Sequence, residues 1–197
     1  MSSFFDIVAS TIVFGVLVLT VARVQANINS TMYENQYNVV TQTNAVELAR
    51  QIEWDFSKIG HHATGQKILW ADSTGIRFYA DLRNNSVVND ISYYAGDTSQ
   101  VHGIKNPDHF PLFRRSGLTT VQQNWGLTYF RITYYDSAYQ KIQTPITTLS
   151  RLQTIKAIDV SFRIESAEPV YSLYDTTWAA VTWEKMIVPR NLDNLNY

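Results

Sequence analysis

The stretch IVASTIVFGVLVLTVA, residues 7–22, holds sixteen residues without a charge and lies between Asp6 and Arg23. As a helix it covers about 24 Å, a little short of the roughly 30 Å hydrocarbon core of a bilayer. Phe4 and Phe5 extend the run outward, and the stem of Arg23 can carry its charge back to the headgroups, so a membrane span is feasible. Two other readings stay open. A cleavable signal peptide would use Val24-Gln25-Ala26 as its small-residue site before Asn27, but the leading segment lacks Lys and Arg and carries the acidic Asp6. A buried core helix would need a matching apolar partner segment, and the sequence offers none.

The residues after this run extend the helix. No Gly or Pro occurs between Gly15 and Gly60. Apolar or small residues recur at Ile28, Met32, Val39, Thr43, Val46, Ala49, Ile52, Phe56 and Ile59, with helical spacings. The pattern predicts one helix over residues 3–59, closed by Gly60 as its C-cap, with Gly15 or the Asn-rich stretch as the place for any kink. Such a helix is about 85 Å long. A small head cannot bury all of it, so the first half must protrude. From Val24 to Val46 the only charge is Glu34, while Asn and Gln appear eight times. A water-exposed helix normally carries Lys and Glu. This one suits a packed environment whose neighbours supply hydrogen bonds, or else it is a merely polar linker.

Beyond Gly60 the period changes to two. Gly75–Ala80 and Ile91–Tyr94 read as short strands around the turn Asn84-Asn85-Ser86. Leu127–Tyr135 alternates Phe130, Ile132 and Tyr134 against Arg131 and Thr133. The clearest half-buried strand sets Ile158, Val160, Phe162 and Ile164 against Asp159, Ser161, Arg163 and Glu165. Trp178–Val188 reads as the last strand, with a blurred alternation that suggests a bulge. Residues 95–126 are loop-rich, and their pattern gives no order. The chain thus divides into a helix, residues 1–59, and a β-rich head, residues 60–197.

Bulk composition narrows the functions. Charged residues are 17% and apolar residues 45%, enough for a packed core. The net charge is −1 with no basic block, so nucleic-acid binding has no electrostatic footprint. The absence of Cys excludes a disulfide framework, a thiolate metal site and a Cys nucleophile.

Four stretches, in order, resemble the type IV pilin-like superfamily, most closely the J-type minor pseudopilins of type II secretion and related minor pilins. The first is the N-terminal apolar helix. The second, Ile52-Glu53-Trp54-Asp55-Phe56-Ser57-Lys58-Ile59-Gly60, is similar to that group's helix end. The third, Gly75–Asp81 through Ile91–Tyr94, is similar to its "I-x-F-x-x-D…I-x-Y" hairpin. The fourth, Ile187-Val188-Pro189-Arg190-Asn191-Leu192, is similar to its closing "V-x-x-RNL". The resemblance implies an α+β fold in which the second half of the helix packs on an antiparallel sheet. Pilins carry Gly-Phe or Gly-Met at the leader-peptidase site and an acid at the fifth mature position. Here the fifth residue is Phe5 and the acid is Asp6. The same resemblance makes Phe4, Phe5, Asp6, Ile7, Phe14 and Arg23 the candidate assembly residues of a filament core, with Asp6 as the acid that meets a neighbour's terminal amine.

Chemical sites are weaker. His61-His62 beside Asp55 and Asp72 can be drawn as a metal or acid–base cluster, but no HxxxH or HxH spacing occurs. Just after a helix end, His more often meets free carbonyls. His102 and His109 sit in a Pro-containing loop without a matching carboxylate. Asp81, Asn84, Asn85, Asn89 and Asp90 are oxygen-rich, yet the alternation of a Ca²⁺ loop is missing, which leaves a plain turn. Tyr93, Tyr94, Trp125, Tyr134, Tyr135, Tyr171, Tyr174, Trp178 and Trp183 suit a β core and interfaces better than a glycan surface. No metal, cofactor or catalytic constellation is therefore expected.

These readings converge on a structural subunit that waits in the inner membrane and then joins an extracellular, pilus-like filament. Its partners would be copies of itself or other pilin-like subunits. A tip-located minor pseudopilin and a membrane-anchored binding module with an aromatic head are the alternatives. An anchored enzyme finds no residues to support it.

Overall fold

The stretch without Gly or Pro becomes a single helix, α1 (Ser2–Ser57), in a computed structural model of the chain that describes residues 2–171 and 176–192. The helix ends slightly earlier than residue 59. Its last turn tightens, with Lys58 and Ile59 donating to the carbonyls three residues back. Gly60 then takes a positive φ of 78°, and its N–H turns away from the helix to the Tyr79 carbonyl. A Cβ on Gly60 would stand 2.8 Å from Lys67 Cδ, on a side chain that can move aside, so it is the positive φ that favours Gly here.

The head is an antiparallel sheet. Its strands are β1 (Ile68–Asp72), β2 (Gly75–Ala80), β3 (Asn89–Ala95), β4 (Phe110–Ser116), β5 (Thr119–Tyr135), β6 (Lys141–Ile142), β7 (Ala157–Glu165) and, after a small β8–β9 ladder (Val170–Tyr171 with Thr176–Thr177), β10 (Ala180–Ile187). The spatial order is β1-β2-β3-β4-β5-β7-β10, with β6 pairing the end of β5. A one-turn helix, α2 (Leu149–Leu152), lies between β6 and β7. β5 changes partner along its length: residues 119–127 pair β4, and residues 127–135 pair β7.

One face of α1 closes the core. Ala45, Leu48, Ala49, Ile52, Phe56 and Ile59 are buried, spaced three and four apart, against Phe78, Ile91, Tyr93 and Phe162 of the head. The Phe56 ring meets Phe78 and Tyr93 edge-on, with centroids 5.8 and 5.5 Å away. β2 has the limits expected from its sequence, and β7 buries Ile158, Val160, Phe162 and Ile164 as its alternation requires.

Several expectations are corrected. The helical stripe was misphased above Ala49: Val39, Thr43 and Val46 are exposed, while Thr41, Ala45 and Leu48 face the head. Residues 95–126, read as loop-rich, contain β4 and the first part of β5, and β1 went unrecognised. The β4–β5 hairpin is polar where it leaves the core, so it lacks the alternation that marks a half-buried strand. The suspected bulge in the last strand is absent, because β10 follows β7 in unbroken register from Ala180↔Glu165 to Ile187↔Ile158. Its blurred pattern comes from an outward-facing end at which Met186 and Val188 are exposed. Tyr174 and the side chain of Tyr171 lie outside the described residues.

Candidate functional site

The apolar half of α1 protrudes from the head. It is long and apolar enough to cross a membrane, and none of that window is buried within the chain. Its hydroxyls are returned to its own backbone: Ser10 and Thr11 donate to the Ile7 carbonyl at 2.9 and 2.8 Å, and Thr20 to Val16 at 2.8 Å. The segment thus presents almost no unsatisfied polar group to an apolar surrounding.

The structure does not gather the candidate assembly residues into one patch. Phe4, Phe5, Asp6 and Ile7 are consecutive on a helix and so point in four directions about 100° apart. Phe14 lies over Ile7, two turns on, and Arg23 lies on the side of Phe5. Phe4, Phe5, Ile7 and Phe14 are each about two-thirds exposed, at 67%, 67%, 64% and 68%. Among the described residues neither Asp6 nor Arg23 has an ion-pair partner. A rod that is apolar on every side suits lipid or a ring of neighbouring helices, rather than a single groove.

The exposure continues past the apolar run. Ile28, Met32, Val39 and Val46 line the side of α1 turned away from the head, and all are exposed. Of the Asn and Gln residues of this part, Asn44 reaches the head and donates to the Trp125 carbonyl at 3.2 Å.

Lower on the helix a polar clamp fixes α1 to the sheet. Asp55 is buried and accepts from Tyr93 Oη at 2.5 Å and from Arg114 Nε at 2.7 Å. Arg114 Nε also contacts Tyr93 Oη at 2.8 Å, and Gln51 Nε2 donates to the same hydroxyl at 3.1 Å. Burial pushes the Tyr93 hydroxyl well above its usual range. Burial is the largest influence on the Arg114 guanidinium and would lower it, but the hydrogen bonds and charges of Asp55 and Tyr93 together outweigh that and raise it. The clamp is a neutralised, hydrogen-bonded group, and Asp55 is therefore not available to the histidines.

His61 and His62 instead meet the β2–β3 loop. Their rings stack with centroids 4.0 Å apart. His62 Nδ1 lies 2.9 Å from Asp81 Oδ2, and His61 Nε2 lies 3.1 Å from Asn84 Oδ1. Asp81 is fully buried and accepts from the backbone N–H of Arg83, Asn85 and Ser86 at 3.2, 3.2 and 2.7 Å. Burial would raise its carboxyl, but the His62 bond and these three N–H groups outweigh that and lower it to about 2. Asp72, the other expected neighbour, accepts from its own Ser73 N–H in the β1–β2 turn. Asn89 and Asp90 are not part of an oxygen cage either: Asp90 pairs with Arg77 at 2.5 Å. The loop is a turn built on Asp81. Spacing in the sequence could not bring out this cluster, since its partners come from opposite ends of a hairpin.

His109 is buried and shifted down by its burial, and its Nε2 has no hydrogen-bond partner among the described residues. Among the aromatic residues, Tyr93 and Tyr134 are fully buried, Trp183 stacks on Phe162 with centroids 5.0 Å apart, and Trp125 packs on the core. Tyr94 is partly exposed and stacks on Phe113.

No protein-family model matches the sequence, and no curated protein matches it. The layout, a long apolar N-terminal helix followed by an antiparallel sheet, is compatible with a pilin-like fold.

Proposed function

We propose that the chain is a pilin-like structural subunit that assembles into a pilus-like extracellular filament through its N-terminal helix, after waiting in the inner membrane. The observation that carries this reading is the protruding half of α1, apolar on every side and, among the described residues, left uncovered by the head. Each large apolar side chain gains roughly 1.5–3 kcal/mol on leaving water, so the segment requires lipid or other helices around it. The Asn/Gln-rich stretch, with Glu34 as its only charge, and the outward stripe of Ile28, Met32, Val39 and Val46 extend that demand beyond the thickness of a bilayer. A lone anchor has no use for this extension, whereas a bundle of parallel helices does. Its resemblance to minor pseudopilins makes the tip of such a filament the alternative place for the subunit.

Expression of the full chain in a pilus-assembling bacterial host, followed by negative-stain imaging of sheared surface material, tests the proposal. Filaments that contain the chain along their length support it. A chain found at filament ends alone would make it a tip subunit. A chain that remains a membrane-bound monomer would sink the filament reading in favour of an anchored binding module.

A further inference from the structure

We propose that His61, His62 and Asp81 form a binding site for a divalent transition-metal ion of the zinc class, at the C-terminal end of α1. The three ligand atoms, one nitrogen from each imidazole and one carboxylate oxygen, all lie within 4.8 Å of one another. Zinc takes imidazole nitrogen and carboxylate oxygen at about 2.0–2.2 Å, which separates tetrahedral ligand atoms by roughly 3.3 Å. His62 Nδ1 and Asp81 Oδ2, 2.9 Å apart, already stand close to that bite. His61 is only half-buried, so its ring can rotate to bring Nε2 inward and unstack from His62. Asn84 Oδ1, 3.1 Å from His61 Nε2, offers a neutral fourth donor.

The surroundings favour a cation. The carboxylate of Asp81 is oriented by three backbone N–H groups, the kind of outer support that fixes a ligand in place. The site also follows the C-terminus of a 56-residue helix, where the free carbonyls and the negative end of the dipole attract positive charge. Three of the four non-glycine residues with positive φ among the described residues, His62, Asn84 and Ser86, lie at this one site. Left-handed backbone of that kind persists where the surrounding structure holds it, and it gathers at ligand clamps and other functional sites. The ion must displace whatever proton His62 Nδ1 shares with Asp81, so it competes with protons for the site.

One group opposes the ion. Lys58 Nζ donates to Asn84 Oδ1 at 2.9 Å and to the Leu82 carbonyl at 3.1 Å, so an ammonium now holds part of the cation's place. This gives the site a signature that an incidental pair of surface histidines lacks: removing Lys58 must strengthen binding.

The test is calorimetric titration of Zn²⁺ into the detergent-solubilised full chain near neutral pH, with near-UV circular dichroism to check the head of each variant. One ion per chain is expected. His61→Gln and His62→Gln should each weaken binding at least about tenfold, Lys58→Met should tighten it, and His102→Gln should leave it unchanged. Asp81→Asn should weaken binding as well; if that variant disturbs the loop, His62→Gln carries the test alone. Absence of binding in the wild-type chain overturns the site. So does an affinity unaltered by His62→Gln, or one that does not rise in Lys58→Met, since either result reduces the ion to adventitious surface binding.

Discussion

Tyr93 Oη lies 2.5 Å from Asp55 Oδ2, and this contact between β3 and the last turns of α1 is the centre of the polar clamp on the head. Arg114 from β4 completes it. Removing one partner of a buried pair leaves the other charge without compensation. Asp55→Ala should therefore destabilise the head by about 3 kcal/mol, and Tyr93→Phe by about 1–2 kcal/mol through lost hydrogen bonds. Urea denaturation of the soluble head measures both. An Asp55→Ala head as stable as the wild type would mean that apolar packing of Phe56 and Ile52 alone seats the helix.

Deleting residues 1–27 should give that soluble, monomeric, β-rich head. Head residues Lys105, Glu168 and Pro169 lie against α1 from Ser30 and Tyr33 onward, half-burial begins at Tyr37 and Asn38, and full burial at Thr41. Sedimentation and circular dichroism check the outcome. Aggregation or loss of cooperative melting would show that the head needs the apolar half to fold.

Truncation after Asp175 should abolish the folded head. It removes β10, which pairs β7 from Ala180 to Ile187, carries Trp183 onto Phe162, and places Lys185 2.7 Å from Glu53 of α1. A truncated chain that retains a cooperative transition would reduce β10 to an accessory strand.

Asp81 sets a pH dependence whose sign follows from its lowered carboxyl. An unfolded Asp titrates near 3.9, whereas the folded group sits at about 2. The folded state therefore binds fewer protons between these values, and the stabilisation is whole above about pH 5. It is lost as pH falls toward 2. The stability difference between wild type and Asp81→Asn should stay level above about pH 5 and shrink on acidification through that window. A difference that grows in acid would reverse the assignment.

Asp6 separates two roles. α1 begins at Ser2 and has no acid in its first turn, so Asp6, one turn in, feels only the weakened field of the helix dipole, worth well under about a kilocalorie at an exposed position. As an assembly acid it would meet a positive group of a second subunit. Asp6→Asn should reach the membrane in normal amounts yet yield far fewer filaments, counted by negative stain against membrane-bound subunit. Normal filament yield would leave only the dipole role.

The sequence by itself determined the long helix, its uncovered apolar half, the stop at Gly60 and the strands whose side chains alternate, above all β7. These features are written in local periods, in the absence of Gly and Pro, and in one run without charge, so neighbouring residues suffice to read them. The tertiary structure alone decided which side of α1 faces the sheet. Thr41, Ala45 and Leu48 were chosen over Val39 and Val46 because the head covers one side of a helix whose apolar residues lie on both. It also decided the β4–β5 hairpin, whose exposed half has no buried face to impose a period of two. The Asp55–Tyr93–Arg114 clamp joins residues 38 and 59 positions apart. The His61–His62–Asp81 cluster likewise depends on the β2–β3 loop folding back to the helix end, with His62 and Asp81 separated by 19 positions. Polar partners so distant in sequence leave no spacing to recognise, because only the closed sheet brings them within reach of one another.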